Sequence, residues 1–240
     1  MKLFIAIDDT DNKESIGTGR LSRMLAEELA EKDLIGESRV TRHQLLVHPD
    51  IPYTSHNSSA CIDTVMGDCI IGDIAACAIT FLNEHFHEGA NPGLCIAKQD
   101  AVPKELPFFG LRAQIDVISL DEAKRLAGRL GTFTWWNGET GQGCIGAMSA
   151  VGLRSTGNDG RYIELKGIRN IGGMISVGEI LRLTAIERVA TLSGENLPAD
   201  EIVDTQDWVR PILKEWLVTL EVIPVNEHWR APHKKKAKSE

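Results

Sequence analysis

Leu3-Phe4-Ile5-Ala6-Ile7-Asp8-Asp9-Thr10-Asp11 is the stretch that decides how this chain folds. Five apolar residues in unbroken succession suit a strand buried on both faces; a strand with one wet face would alternate. Three carboxylates then arrive where that strand ends. Like charges held close repel, and they stay ionised at neutral pH only beside a cation or hydrogen-bond donors. The end of a strand is also where α/β sheets place their ligands. A hard cation such as Mg²⁺ prefers carboxylate oxygens and keeps several waters, which suits bridging to phosphates. Asp8, Asp9 and Asp11 are therefore candidate metal ligands, with Asp8 and Asp9 candidate catalytic groups.

Gly17-Thr18-Gly19 follows and leads into a helix over residues 20–32, where Leu21, Met24, Leu25 and Leu29 form one apolar stripe. A hydroxyl between two glycines at a helix start offers backbone N–H groups and the positive dipole end to an anion. Taken alone, Thr18 is an ordinary N-cap. With the acidic motif before it, the combination indicates a nucleotide site assisted by a metal ion.

Working outward, residues 39–47, 59–65, 94–98, 114–119 and 161–166 read as strands. Residues 68–87, 120–130 and 145–151 read as helices, and 177–184 as a short helix or strand. Two prolines make residues 48–56 a loop. Residues 205–222 read as a helix with Pro211 in its first turn or at a kink, burying Trp208, Leu213, Trp216 and Leu217. Strands alternating with helices indicate an α/β or α+β fold.

Charge and cysteines narrow the class. The chain has 26 Lys+Arg against 34 Asp+Glu, net −8; residues 230–240 hold five of the bases, leaving 21 bases and 33 acids before them, −12. Such a body repels a nucleic-acid backbone unless a local basic patch or metal ions intervene. Lys234-Lys235-Lys236 reads as a disordered, solubilising end. Five scattered cysteines, none at the spacing of a zinc knuckle, suit free thiols in a reducing cytoplasm. No apolar run is long enough to span a membrane, so a membrane partner is not expected.

Gly141-Gln142-Gly143-Cys144-Ile145-Gly146 matches the G-x-G-x-x-G fingerprint, with Glu164 about twenty residues on. The segment before it, Thr132 to Trp136, is a poor buried strand set before a five-residue loop. A Rossmann site is not expected there. Gly143 and Gly146 remain candidates for a second phosphate-binding helix start.

Three segments resemble the archaeal agmatidine synthetases, which modify the wobble cytidine of an isoleucine tRNA using ATP and agmatine. They are Ile7-Asp8-Asp9-Thr10-Asp11; His48-Pro49-Asp50-Ile51-Pro52-Tyr53 with Asn57-Ser58-Ser59-Ala60; and Gly143 to Gly152 with Tyr162-Ile163-Glu164-Leu165. The resemblance spans most of residues 1–170. It implies a kinase-like domain combined with a ferredoxin-like domain. It also implies that Asp8, Asp9 and Asp11 hold Mg²⁺ and ATP phosphates, and that Asn57 lines the site. Ungapped counting sets the family's phosphorylated threonine on Thr18, here between Gly17 and Gly19 in place of the family's neighbours. No cysteine follows Cys144, so the family's zinc ribbon is not expected within these residues.

The implied organisation is a core over residues 1–196, a helical segment over 197–228 that suits a homodimer contact, and a basic tail over 229–240. The implied function is an ATP- and Mg²⁺-dependent phosphotransferase or ligase acting on a small-molecule substrate. The alternatives are a non-catalytic nucleotide-binding regulator, or a tRNA modifier whose tRNA-binding domains come from a partner protein.

Overall fold

The computed structural model describes residues 1–12, 16–53 and 56–232. The lysine run at 234–236 and most of the expected tail lie outside them. The chain divides into two compact units, Met1–Ile163 and Glu164–Glu240.

The first unit contains β1 (Lys2–Asp8), α1 (Thr18–Glu31), β2 (Ile35–Gln44), β3 (Ser58–Met66), α2 (Ile71–His85) and β4 (Gly93–Lys98). It continues with α3 (Glu105–Ala113), α4 (Leu120–Ala127), β5 (Phe133–Trp136), α5 (Gly143–Ser155) and the start of β6 (Arg161–Glu164). Its strands lie in the order β5-β4-β1-β3-β2-β6. The β1/β3, β1/β4, β2/β3 and β4/β5 pairs are all antiparallel.

The apolar run of β1 is explained by its position. Leu3, Ile5 and Ile7 face a core completed by α1 and α2, whereas Phe4 and Ala6 face a second core completed by α3, α4 and α5. A central antiparallel strand covered on both faces loses the usual alternation. Each large apolar side chain so buried contributes roughly 1.5–3 kcal/mol. The fold is thus a mixed α+β one with a mostly antiparallel sheet, rather than a parallel α/β sheet. Asp8 shares the face of Phe4 and Ala6, so the strand delivers its carboxylate towards α5.

Two expectations in this unit are corrected. Residues 114–119 are not a strand; they follow α3, whose residues suggest no element by their pattern, and lead into α4. Pro107 sits in the first turn of α3, where its missing N–H is tolerated. Cys69 precedes α2 rather than lying in it, and all five cysteines are free thiols.

The second unit contains β7 (Met174–Ser176), α6 (Val177–Leu183), β8 (Arg188–Thr191), β9 (Ile202–Asp204), β10 (Ile212–Lys214), β11 (Leu217–Val225) and β12 (His228–Arg230). The helix expected over 205–222 is absent. Lys214 pairs with Leu217 across a two-residue loop, and both loop residues, Glu215 (φ 54°) and Trp216 (φ 65°), are left-handed. That is the demand of a type I′ hairpin, which Asn-Gly would announce and Glu-Trp does not. The expected burial also fails: Leu213 is buried, but Trp208 and Trp216 are 45% and 49% exposed. No helix among the described residues is long and apolar enough to cross a membrane.

Candidate nucleotide site

The end of β1 meets the start of α5 through a set of glycines. Asp8 pairs with Gly93 of β4. A Cβ at Gly93 would overlap the backbone of Gly143, and one at Gly143 would stand 2.7 Å from the Asp8 carbonyl oxygen. A Cβ at Gly146 would fall inside the Asp8 carboxylate itself. Glycine at these positions lets the helix start sit against the strand end, with the Asp8 side chain filling the space above Gly146. The carboxylate lies by the first turn of α5, where the helix dipole favours negative charge.

Asn91, which the sequence motifs do not mark, ties this corner together. Its carbonyl accepts from Gly143 N–H at 2.9 Å, and its Oδ1 accepts from Thr140 N–H at 2.8 Å. Its own N–H lies near enough to the Asp9 carboxylate to favour the charged form. Asp9 has a positive φ of 50°, so the chain turns sharply as it leaves the strand. An Asn before Pro92 is ordinary loop chemistry, and nothing in its local sequence signals this role.

Asp8, Asp9, Asp11, Asn57 and Gly146 line one cleft. Its outer wall adds Asp50, Ile51 and Tyr53 from the loop after β2, and Asp116, Val117 and Ile118 from the α3–α4 turn. In the sequence the first group stands out only as part of a motif, and the second reads wrongly as a strand. Five carboxylates line the cleft, and no lysine or arginine does among the described residues. Burial pushes the Asp8 carboxyl up to about 8, and the neighbouring charges of Asp9 and Asp11 add to the rise. Burial and then the Asp11 charge lift Asp9 to about 6. A cation brought to this cluster would favour the ionised form of both groups.

The other expected site residues stand differently. Gly17, Thr18, Gly19 and Gly143 do not line the cleft. Gly17 (φ 81°) is the N-cap of α1, and its carbonyl accepts from Arg20 and Leu21. Thr18 is the first residue of α1, not its N-cap; it is buried, donates to Asp11 Oδ1 at 2.8 Å and accepts from Thr10 Oγ1 at 3.1 Å. The start of α5 has few donors left for an anion: Gly143, Cys144 and Ile145 N–H groups bond Asn91, Gly141 and Gln142 carbonyls. Asn57 lends its amide N–H to the Leu46 carbonyl at 2.6 Å, which braces the cleft wall. No group of three or more His, Cys, Asp or Glu among the described residues is arranged to hold a metal ion. Asp8, Asp9 and Asp11 are therefore not a closed protein cage. For Mg²⁺ none is required, since one or two carboxylates with substrate phosphates and water usually complete its shell.

The fold and cleft define an α+β unit with an acid-lined pocket built on a strand–helix corner. No family model matches the chain. Among characterised proteins, the isoleucine-tRNA 2-agmatinylcytidine synthetase TiaS of Pyrococcus horikoshii is 28% identical over 156 residues, covering 63% of this chain and 36% of that protein. The TiaS of Archaeoglobus fulgidus is 31% identical over 158 residues, again 63% and 36%. The crystal structure of TiaS in complex with its tRNA and ATP matches with a TM-score of 0.54 and 28% identity, covering 63% of this chain and 36% of that one. The complex of TiaS with tRNA, AMPCPP and agmatine gives a TM-score of 0.52 and 27% identity over the same shares. The chain thus carries a partial TiaS-like region, which spans little more than a third of the relatives' length.

Proposed function

We propose that the cleft binds ATP with Mg²⁺ and that the protein is a kinase-like phosphotransferase or ligase resembling the catalytic core of the agmatidine synthetases. The observation that carries this reading is the convergence of Asp8, Asp9 and Asp11 in one cleft whose described lining holds no lysine or arginine. A triphosphate cannot enter so acidic a site without cations to neutralise both partners. Asp8 and Asp9 would hold Mg²⁺, and Asp11 would complete the site through water. The ion, when bound, would supply charge neutralisation of the phosphates. Asn57 and Gly146 would shape the wall. Two related TiaS structures contain ATP or its analogue AMPCPP, one of them with agmatine. The outer carboxylates Asp50 and Asp116 suit a cationic acceptor of that kind, so a small amine is the acceptor to try first. The unit Met1–Ile163 would be the kinase-like part; a ferredoxin-like part elsewhere in the chain rests on the resemblance alone.

A second reading, nucleotide binding without catalysis, draws on Thr18. Its hydroxyl is 2.8 Å from Asp11, a geometry that suits proton transfer to a carboxylate. Yet Thr18 is only 7% exposed and stands outside the lining, which favours a structural role. Calorimetry of ATP with and without Mg²⁺, on wild type and the Asp8→Asn and Asp9→Asn variants, tests the main reading. Metal-dependent binding lost in both variants is expected; no binding at millimolar ATP would end it. If ATP binds, Thr18→Ala with labelled ATP separates enzyme from sensor, because only an enzyme that phosphorylates Thr18 loses turnover.

A further inference from the structure

A polar chain, buried at Thr41 and His43 and half-buried at Asp159 and Gln114, lies behind the outer wall of the cleft, and neither the sequence motifs nor the proposed chemistry accounts for it. His43, on β2, is fully buried. Its Nε2 is 2.8 Å from Thr41 Oγ1 and its Nδ1 is 2.6 Å from Asp159 Oδ1. The other carboxylate oxygen, Asp159 Oδ2, accepts from Gln114 Nε2 at 2.9 Å, and the same Gln114 nitrogen lies 3.2 Å from the Gln44 carbonyl. Gly160 (φ 118°) has no room for a side chain, since a Cβ would stand 2.8 Å from His43 Cε1. Burial lowers the His43 pKa, while Asp159 draws it back up and Arg154 adds to the lowering. The neutral ring satisfies both partners by donating from Nδ1–H to Asp159 and accepting the Thr41 hydroxyl at Nε2.

The outer end of this chain, Gln114 with its partner Gln44, sits one residue from the cleft lining. Gln44 precedes Leu45, and Gln114 follows Ala113; both neighbours line the cleft. Between them Leu46 N–H donates to the Ala113 carbonyl at 2.9 Å. Buried polar groups are retained only when satisfied, and a satisfied network fixes the elements it joins. Here it joins β2, the end of α3 and the turn after α5.

We infer that Thr41–His43–Asp159–Gln114 is a latch that sets the position of the cleft's outer wall, with Gln114 the positioning residue that connects the wall to it. The consequence for ligand affinity rests on the nucleotide reading above; the mechanical role does not. Gln114→Ala tests it with little risk to folding, because it removes only the outer link and leaves the His43–Asp159 pair intact. Amide exchange should accelerate about tenfold or more at Leu46 and across residues 114–116, with β1 and α1 unchanged. The dissociation constant for Mg²⁺–ATP should rise roughly three- to tenfold with its metal dependence retained. Gln114→Lys, which restores a donor towards Asp159, should recover both readouts, and Gln114→Glu, which faces it with like charge, should not. Unchanged exchange at Leu46, or acceleration spread evenly through β1 and α1, overturns the latch. Accelerated exchange with unaltered affinity overturns its link to the ligand. Should wild type bind no ATP, the nucleotide reading falls and the exchange data alone decide the latch.

Discussion

Asp8 illustrates how a single side chain can oppose stability while serving a site. The folded protein holds its proton up to about pH 8, whereas an unfolded carboxyl releases it near 3.8. The folded state therefore binds more protons across that window, and its stability falls as pH rises from about 4 to about 8. Thermal melts of the metal-free protein should show Tm declining over this range for wild type, while in Asp8→Asn the decline ends near pH 6, where Asp9 has titrated, and the variant melts several degrees higher at about pH 8.5. Mg²⁺ with ATP should restore wild type there and leave the variant unmoved. Gly146→Ala asks the converse question. The new methyl group must displace the Asp8 carboxylate, so a loss of roughly 1–3 kcal/mol in denaturant melts is expected. Loss of Mg²⁺-dependent ATP binding should accompany it. The acidic motif is legible because three carboxylates after an apolar run are unusual in themselves. Gly146 is legible only as part of a fingerprint, and its use here is different: it makes room for Asp8.

Among the elements, β1 and α1 can be read directly, since an unbroken apolar run and a 3.6-residue stripe are local patterns. The start of α5 can be read in part. Its glycines stand out as phosphate binders, whereas they are spent on close approach to Gly93 and Asp8. α3 is invisible because Pro107 and the stretch Phe108-Phe109-Gly110 mask its periodicity. The β10–β11 hairpin misleads because Trp208, Leu213, Trp216 and Leu217 fall at helical spacing, while the turn between them is left-handed at two non-glycine residues. That conformation costs roughly 1–2 kcal/mol per residue. Trp216→Gly should therefore stabilise this hairpin by about 1 kcal/mol in a denaturant melt, with little packing lost from a half-exposed ring. A destabilised variant would mean that the Trp216 ring contributes more contact than its exposure suggests.

At the scale of the whole molecule, charge is the relevant quantity. A protein of net −8 lacks the counter-charge that neutralises a phosphate backbone. Alone, at about 0.15 M ionic strength, it is expected to leave tRNA unshifted in an electrophoretic assay. A shift that survives this salt would revive direct tRNA modification by this chain. A shift seen only with an added protein would support the reading in which the tRNA-binding domains come from a partner. The TiaS-like region and the distinct second unit set the terms of that test: the likeness covers 63% of the chain, and the relatives continue well beyond what it matches.

What the sequence by itself determined was whatever depends on neighbours along the chain. This includes the buried first strand, the helix after the glycine–threonine–glycine turn, the acidic end between them, and the resemblance those motifs carry. What only the tertiary structure decided was whatever depends on groups far apart in sequence. An antiparallel sheet with both faces covered brings Asp8 to Gly146, Asn91 to Gly143, and Gln114 to Asp159. Hydrophobic periodicity reports which face of an element is buried, but not which partner buries it. The outer wall of the cleft and the latch behind it are assembled from just such partners.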